Sequence, residues 1–226
     1  MVYKNTPVLG NAFPDIPRVC FLCGVYNSQV TASLCSGCLQ DLPLACGPKL
    51  PVMARPGRRP TFDLSVSALA YQYPADILIQ ALKYHRRIEL ANDLGSMLAR
   101  VVLKVSTNLP TCLVPVPLHP ARYRQRGYNQ ATLIARAVAR TLGIPVQTRL
   151  VRRTRNTQAQ FDLPPGQRQR NVRGAFSVTS LPAVETVAII DDVMTTGATM
   201  EAMAICLRAA GAVRVEAWSC SRAPLP

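Results

Sequence analysis

The sequence predicts an α/β domain built on a mostly parallel sheet flanked by helices, with a small four-cysteine module at its N-terminal end. Three observations carry that expectation. The apolar, β-branched run at 187–190 leads through Asp191, Asp192 and a turn rich in Thr and Gly into a helical pattern from Met200 to Ala210, which is the order strand, loop, helix. A second unit of the same kind runs from residues 112–117 through a basic loop to an apolar helical face at Leu133, Ile134, Ala137 and Val138. Two C-x-x-C pairs precede both units.

A chain of 226 residues buries one good core plus a small appended module. Lys and Arg number 26 against 12 Asp and Glu, a formal charge of 26 − 12 = +14, which favours anionic partners, whether phosphorylated small molecules or nucleic acid. No basic-then-apolar leader opens the sequence, and no run of about eighteen apolar residues lacks a charge. A soluble, cytoplasmic protein without membrane insertion is expected.

Residues 1–17 hold three prolines and no periodicity, and read as a flexible arm. The zinc-finger-like module is placed at 18–48. Cys20 and Cys23, then Cys35 and Cys38, set two sulfurs on each of two tight turns, the four-thiolate set that structural zinc prefers. Gly24, Asn27 and Ser28 between the pairs suit a hairpin. The eleven-residue gap is shorter than the commonest ribbon spacing, so a redox pair or free thiols stay open, and Cys46 is either a substitute ligand or a spare thiol. From Cys20 to Cys46 the only charge is Asp41, which argues against a grip on a phosphate backbone. Four prolines from Gly47 to Pro60, with Lys49, Arg55, Arg58 and Arg59, mark a linker placed at 49–62, and the main domain is placed at 63–226.

Within that domain Val66 to Tyr71 reads as a strand. Ile77, Leu78, Ala81 and Leu82, then Leu90, Leu94, Leu98, Val101, Val102 and Val105, recur at helical spacing. Between them the basic run from Lys83 to Arg87 reads as a solvated helix end whose cations favour the dipole. The strand at 112–117 carries prolines that suit its ends or an edge. Arg122, Arg124 and Arg126 follow in a loop that Asn129 caps into a helix ended by Gly143 and Pro145. From Arg149 to Arg173 seven arginines and one acid read as a long mobile loop, a lid at about 149–173 with Arg152, Arg153, Arg155, Arg168, Arg170 and Arg173 as candidate lid or DNA contacts. Strand character resumes at Gly174 to Phe176, and Val213 to Trp218 forms the last strand.

The central motif is chemically specific. A helix N-terminus leaves N–H groups unpaired, and Thr195, Thr196, Gly197, Ala198 and Thr199 add hydroxyl donors without bulk, so one phosphate fits there. Two carboxylates ahead of it would repel that phosphate, so Asp191 and Asp192 face hydroxyls of the same ligand or a divalent cation bridging to it. A phosphorylated sugar with Mg²⁺ meets both demands. The arginine loop suits a second, more highly charged phosphate group, since ligands gather at the carboxyl ends of parallel strands.

Residues 189–199 resemble the phosphoribosyl pyrophosphate loop of the type I phosphoribosyltransferases, where the acids bind the ribose hydroxyls and the Thr-Thr-Gly-x-Thr turn holds the 5′-phosphate. Nearly the whole chain is similar to the ComF family, a branch of these proteins associated with natural competence. The likeness rests on the cysteine pairs, Leu82-Lys83-Tyr84, Pro117 to Pro120 with Arg122 to Gln130, Arg155, Thr157, Gln160, Leu163, Arg168, Asn171, Gly174 to Phe176, and the loop itself. The family often has Arg-Gly after the Lys-Tyr pair where this chain has His85-Arg86, so no role is implied for residue 85.

The resemblance implies a type I phosphoribosyltransferase fold, structural Zn²⁺, and Mg²⁺ entering with phosphoribosyl pyrophosphate. Arg122 and Arg126 would steady the pyrophosphate while Asp191 and Asp192 act at the ribose. It implies phosphoribosyl transfer to an unknown acceptor, linked to DNA uptake. The rival expectation is a non-catalytic single-stranded-DNA-binding or adaptor protein that senses phosphoribosyl pyrophosphate, with competence proteins such as a DNA helicase as partners. A zinc-finger regulator survives only as a protein-docking surface.

Overall fold

A computed structural model describes residues 18–27, 33–45, 61–157, 165–179 and 186–223. The arm at 1–17, Cys46 and the linker up to residue 60 lie outside the described residues. The chain divides into two compact units, 1–40 and 41–226.

In the first unit β1 (Arg18–Val19) and β2 (Tyr26–Asn27) pair antiparallel, and α1 (Ser36–Gln40) follows. The hairpin encloses the first cysteine pair instead of lying between the pairs. Gly24, at φ +72°, turns the chain back directly after Cys23, and the Cys20 N–H donates to the Val25 carbonyl at 2.9 Å.

The second unit runs β3 (Leu64–Ala70), α2 (Ala75–Tyr84), α3 (Leu90–Val105), β4 (Cys112–Pro115), α4 (Pro120–Arg126), α5 (Gln130–Leu142), β5 (Val151–Arg153), α6 (Pro165–Val172), β6 (Phe176–Val178), β7 (Thr186–Met194), α7 (Ala198–Ala209) and β8 (Arg214–Arg222). Four parallel strands stand in the order β3-β8-β7-β4, and β5 and β6 form a separate antiparallel pair. Strand β7 is covered on both faces, and its residues 187–190 are completely buried, which explains an apolar run without alternation. Met200, Met203, Ala204 and Leu207 of α7 join Val187, Ile189, Val215 and Ala217 in one core. Helices α3 and α5 cross at Gly95, where a Cβ would lie 2.5 Å from that of Ala137. Strand β4 ends on Pro115 at the sheet edge, and the passing segment 145–147 takes up the open side of Leu113 at 2.9 and 2.8 Å.

Several sequence expectations are corrected. The arginine stretch before Asn129 is a helix, α4, not a loop. Pro120 stands in its first turn, His119 Nδ1 accepts from the Ala121 N–H at 3.3 Å, and Gly127 ends it at φ +85°. Much of 149–173 is ordered as β5 and α6, because Leu150, Val151 and Val172 between the arginines are buried with Phe176 against α7. Strand β7 continues through both acids to Met194, and β8 reaches Arg222. Residues 41–45, read as the end of the cysteine module, are hydrogen-bonded to β3, with Ala45 N–H donating to the Ala68 carbonyl at 3.0 Å and Ala70 N–H to that of Pro43 at 2.8 Å. No helix among the described residues is long and apolar enough to cross a membrane.

Candidate functional site

The carboxyl ends of β4 and β7, the start of α7, α4 and the last turn of α2 enclose a cleft of about 160 Å³. Strand β7 carries Asp191 and Asp192 to its floor, and Thr195, Gly197, Ala198 and Thr199 form one wall; Thr196 is exposed and does not line it. Gly197 caps α7 at φ +74° and brings no capping side chain of its own, and the helix start lines the cleft. The loop is backed from outside. The Glu201 carboxylate accepts from the Thr61 N–H at 2.9 Å and its hydroxyl at 2.7 Å, so this acid is engaged away from an anion at the helix start. The buried Phe62 ring reaches within 3.9 Å of where a Gly197 Cβ would stand.

Lys83 is not a solvated helix end. Its Nζ lies 3.0 Å from Asp192 Oδ1, and the Asp192 side chain is only 4% exposed. The Val193 N–H donates to the same oxygen at 2.7 Å, whereas the buried Oδ2 has no partner among the described residues. Burial pulls the Lys83 ammonium down, but the carboxylates of Asp192 and Asp191 outweigh it and hold the group above its ordinary range. The Asp191 carboxyl is pushed up to about 8 by burial and by the Asp192 charge, against the opposing pull of Lys83. Sequence spacing pointed to α2 but could not place its last turn over β7.

The same cleft has a cationic wall. Arg122 and Arg126, four residues apart on α4, share the face that lines the cleft, and Arg124 does not. Arg126 Nη1 donates to Gln130 Oε1 at 2.6 Å, and its guanidinium lies 5.5 Å from the Tyr84 ring centre. Arg153 joins them from β5, its guanidinium 5.4 Å from the centre of the Phe176 ring. Thr157 ties the two elements, accepting from Arg122 Nη2 on its carbonyl at 2.8 Å and from Arg153 Nη2 on its hydroxyl. Arg153 Nε is buried without an acceptor among the described residues, and burial together with the Arg122 charge lowers that group's pKa. Among the described residues none of the three forms an ion pair with a carboxylate. Arg152, Arg155, Arg168, Arg170 and Arg173 do not line the cleft; all but the half-buried Arg168 are exposed.

In the first unit the sulfurs of Cys20, Cys23, Cys35 and Cys38 lie within 4.8 Å of one another. The Cys23–Cys35 separation of 3.7 Å matches the edge of about 3.8 Å that a tetrahedron of thiolates around zinc requires. Backbone N–H groups of Cys35 and Cys38 donate to the sulfurs of Cys20 and Cys35 at 3.3 and 3.4 Å, the support that thiolates need. The donor set therefore fits a structural Zn²⁺ with no open position.

Comparison with known proteins gives a consistent picture. The Phosphoribosyl transferase domain family matches residues 129–220, which take in α5, the acids and the phosphate loop. Competence protein F of Haemophilus influenzae is 32% identical over 84% of this chain and 90% of its own length. DNA utilization protein YhgH of Salmonella typhimurium is 31% identical over 92% of this chain and 98% of its own. Competence protein ComFC of Bacillus subtilis is 27% identical over 86% and 79%, respectively.

Proposed function

The chain belongs to the ComF family of phosphoribosyltransferase-domain proteins, and from that premise we propose that its cleft binds the magnesium complex of phosphoribosyl pyrophosphate and transfers the phosphoribosyl group to an acceptor. The observation that carries this reading is that both signs of charge line one small cleft. Two carboxylates and a helix N-terminus share it with three guanidinium groups that form no ion pair with a carboxylate among the described residues. A ligand with hydroxyls and a single phosphate at one end and a concentrated negative charge at the other meets both.

In this mechanism the N–H groups at the start of α7 and the hydroxyls of Thr195 and Thr199 hold the 5′-phosphate. Asp191 and Asp192 accept from the ribose hydroxyls and stabilise the positive charge that grows on the ring as the bond from C1 to pyrophosphate breaks. Arg122, Arg126 and Arg153 take up the charge of the departing pyrophosphate, and the acceptor's lone pair then closes on C1. Because the guanidinium groups are fixed beforehand by Gln130, Thr157 and the rings of Tyr84 and Phe176, little reorganisation accompanies the departure. The zinc module stays outside the chemistry, and the relatives' names support a role in competence and DNA uptake.

Calorimetric titration of phosphoribosyl pyrophosphate with Mg²⁺ tests the site directly, beside the variant Asp191→Asn, Asp192→Asn. Binding by the parent that the variant loses is the expected result, followed by acceptor-dependent pyrophosphate release. Equal binding by both would remove the acids from the site.

A second role, in handling single-stranded DNA, is favoured by the exposed Arg152, Arg155, Arg170 and Arg173 on the elements that flank Arg153. Affinity for a single-stranded oligonucleotide is expected to fall about tenfold or more between 50 and 200 mM salt, and to drop when these four residues are replaced by glutamine. An unchanged affinity in the glutamine variant would end that reading.

A further inference from the structure

The transfer just described makes no use of Lys83, although this lysine is the cation nearest the acids. We propose that Lys83 is a positioning residue: it locks Asp192 with one carboxylate oxygen turned toward the sugar, and so sets the preference of the cleft for ribose over deoxyribose. The inference rests on the phosphoribosyl reading above, because it concerns which sugar hydroxyls the acids accept.

Asp192 has two oxygens in different conditions. Oδ1 is engaged twice, by Lys83 Nζ at 3.0 Å and the Val193 N–H at 2.7 Å. Oδ2 is buried and has no donor among the described residues. An unpaired buried acceptor in a cleft is a site for a donor that a ligand brings. With Oδ1 held from two directions the carboxylate cannot rotate to offer either oxygen indifferently, so the donor must meet Oδ2. A sugar hydroxyl supplies that donor, and a sugar lacking it leaves the oxygen unpaired.

The lysine is itself fixed from both sides. The Tyr128 hydroxyl donates to the Leu82 carbonyl just before it, and the Tyr84 ring just after it lies against the Arg126 guanidinium. The last turn of α2 therefore spans from the arginine wall to the acids, and its position is set by α4, α5 and the connection between them. Lys83 also supplies the positive charge without which two adjacent carboxylates would repel each other in a half-enclosed place. Methionine at this position keeps the aliphatic stem and removes both the charge and the donor.

The test is competition calorimetry on the full chain with four probes: ribose 5-phosphate, its 2-deoxy and 3-deoxy forms, and inorganic phosphate. The parent is expected to favour ribose 5-phosphate over at least one deoxy form by about tenfold, since a site built to bond a hydroxyl rejects the analogue that lacks it. Lys83→Met is expected to bring that ratio to about twofold or less while inorganic phosphate binds within about twofold of the parent, and Lys83→Arg to restore part of the ratio. Lys83→Leu carries the same test should the methionine variant fail to fold. A ratio untouched by Lys83→Met or Lys83→Leu overturns the proposal, as does a proportional loss of all four probes, which would mark a merely structural lysine. The parent's own arm stands apart: no preference among the sugars there would remove the hydroxyl-accepting role of the acids, and the phosphoribosyl reading with it.

Discussion

The cysteine module and the cleft are both built on clustered charge, and they differ in where the opposite charge comes from. In the module four thiols converge within 4.8 Å, and between Cys20 and Cys46 the only charged side chain is Asp41. Burial raises the Cys20 thiol, but N–H groups of Cys23, Cys35 and Leu22 more than offset it and bring the group down to about 6. Cys38 moves the other way, raised by burial and by its sulfur neighbours. Such a cluster cannot ionise throughout without a cation from solution. The cleft, in contrast, contains its own cations, Lys83 against Asp192 and three arginines along its wall. The module's donor set thus fits an ion, and the ligand proposed for the cleft brings both hydroxyls and phosphates.

The sharpest way to separate the two is to neutralise one charge in each. Asp192→Asn is expected to lower pyrophosphate release by at least about a hundredfold, with metal content by elemental analysis close to the parent's and the melting temperature lowered, since Lys83 loses its buried partner. Retained turnover would place the chemistry elsewhere. A smaller effect on the cleft follows from Cys35→Ser. That substitution is expected to cost the module its metal and the hydrogen-exchange protection of residues 18–27 and 33–40, while affinity for phosphoribosyl pyrophosphate stays within about twofold. A cleft that lost its ligand along with the metal would show the two units to be energetically one.

The same contrast explains what the sequence revealed. The module's ligands arrive in two local pairs, so spacing alone found them, and the acids and phosphate loop were legible because they lie on one strand, turn and helix. Lys83, within Leu82-Lys83-Tyr84, and Arg153, among the candidate lid or DNA contacts, are both visible in the sequence, but nothing local to either assigns it to the cleft. The first reaches Asp192 only through the packing of α2 over the sheet, and the second enters the cleft from a stretch whose many arginines read as solvated loop. In that stretch the buried Leu150, Val151 and Val172 were too few to give a period, yet they suffice to seat β5 and α6 against α7. The alternating arginines of 122–126 misled differently, since a period of two looked like a loop until Pro120 and Gly127 defined a helix around it.

A further difference concerns pH. The Asp191 carboxyl ionises near 3.8 in an ordinary setting and near 8 in the ligand-free fold, so between those values the folded chain holds a proton that the unfolded chain has released. Stability from this group is complete below the lower value and declines as pH rises toward the higher one, after which both states are ionised and the loss is constant. Asp191→Asn removes the penalty. Its melting temperature in the absence of ligand is therefore expected to exceed the parent's by a margin that grows from pH 5 to pH 8 and then levels. A margin that stays flat over that interval would mean that Asp191 is ionised throughout, held so by Lys83.

The smallest effects come from two glycines that do parallel work. Gly24 at φ +72° turns the chain after the first cysteine pair, and Gly197 at φ +74° turns it into the phosphate-facing helix. Space is not limiting at either. Nothing lies within 4 Å of a Cβ at Gly24, and at Gly197 the nearest atom is Phe62 Cζ at 3.9 Å, an ordinary contact. Alanine therefore meets only the left-handed backbone penalty of about 1–2 kcal/mol, and asparagine, which tolerates that region, less. Equal strain should be read out in different places. Gly197→Ala is expected to weaken inorganic phosphate binding severalfold and leave metal affinity unchanged, Gly24→Ala to do the reverse, with Gly197→Asn intermediate by calorimetry. If Gly197→Ala bound phosphate as well as the parent, the left-handed turn would not be what presents the helix N-terminus to the ligand, and that task would pass to the Thr195 and Thr199 hydroxyls alone.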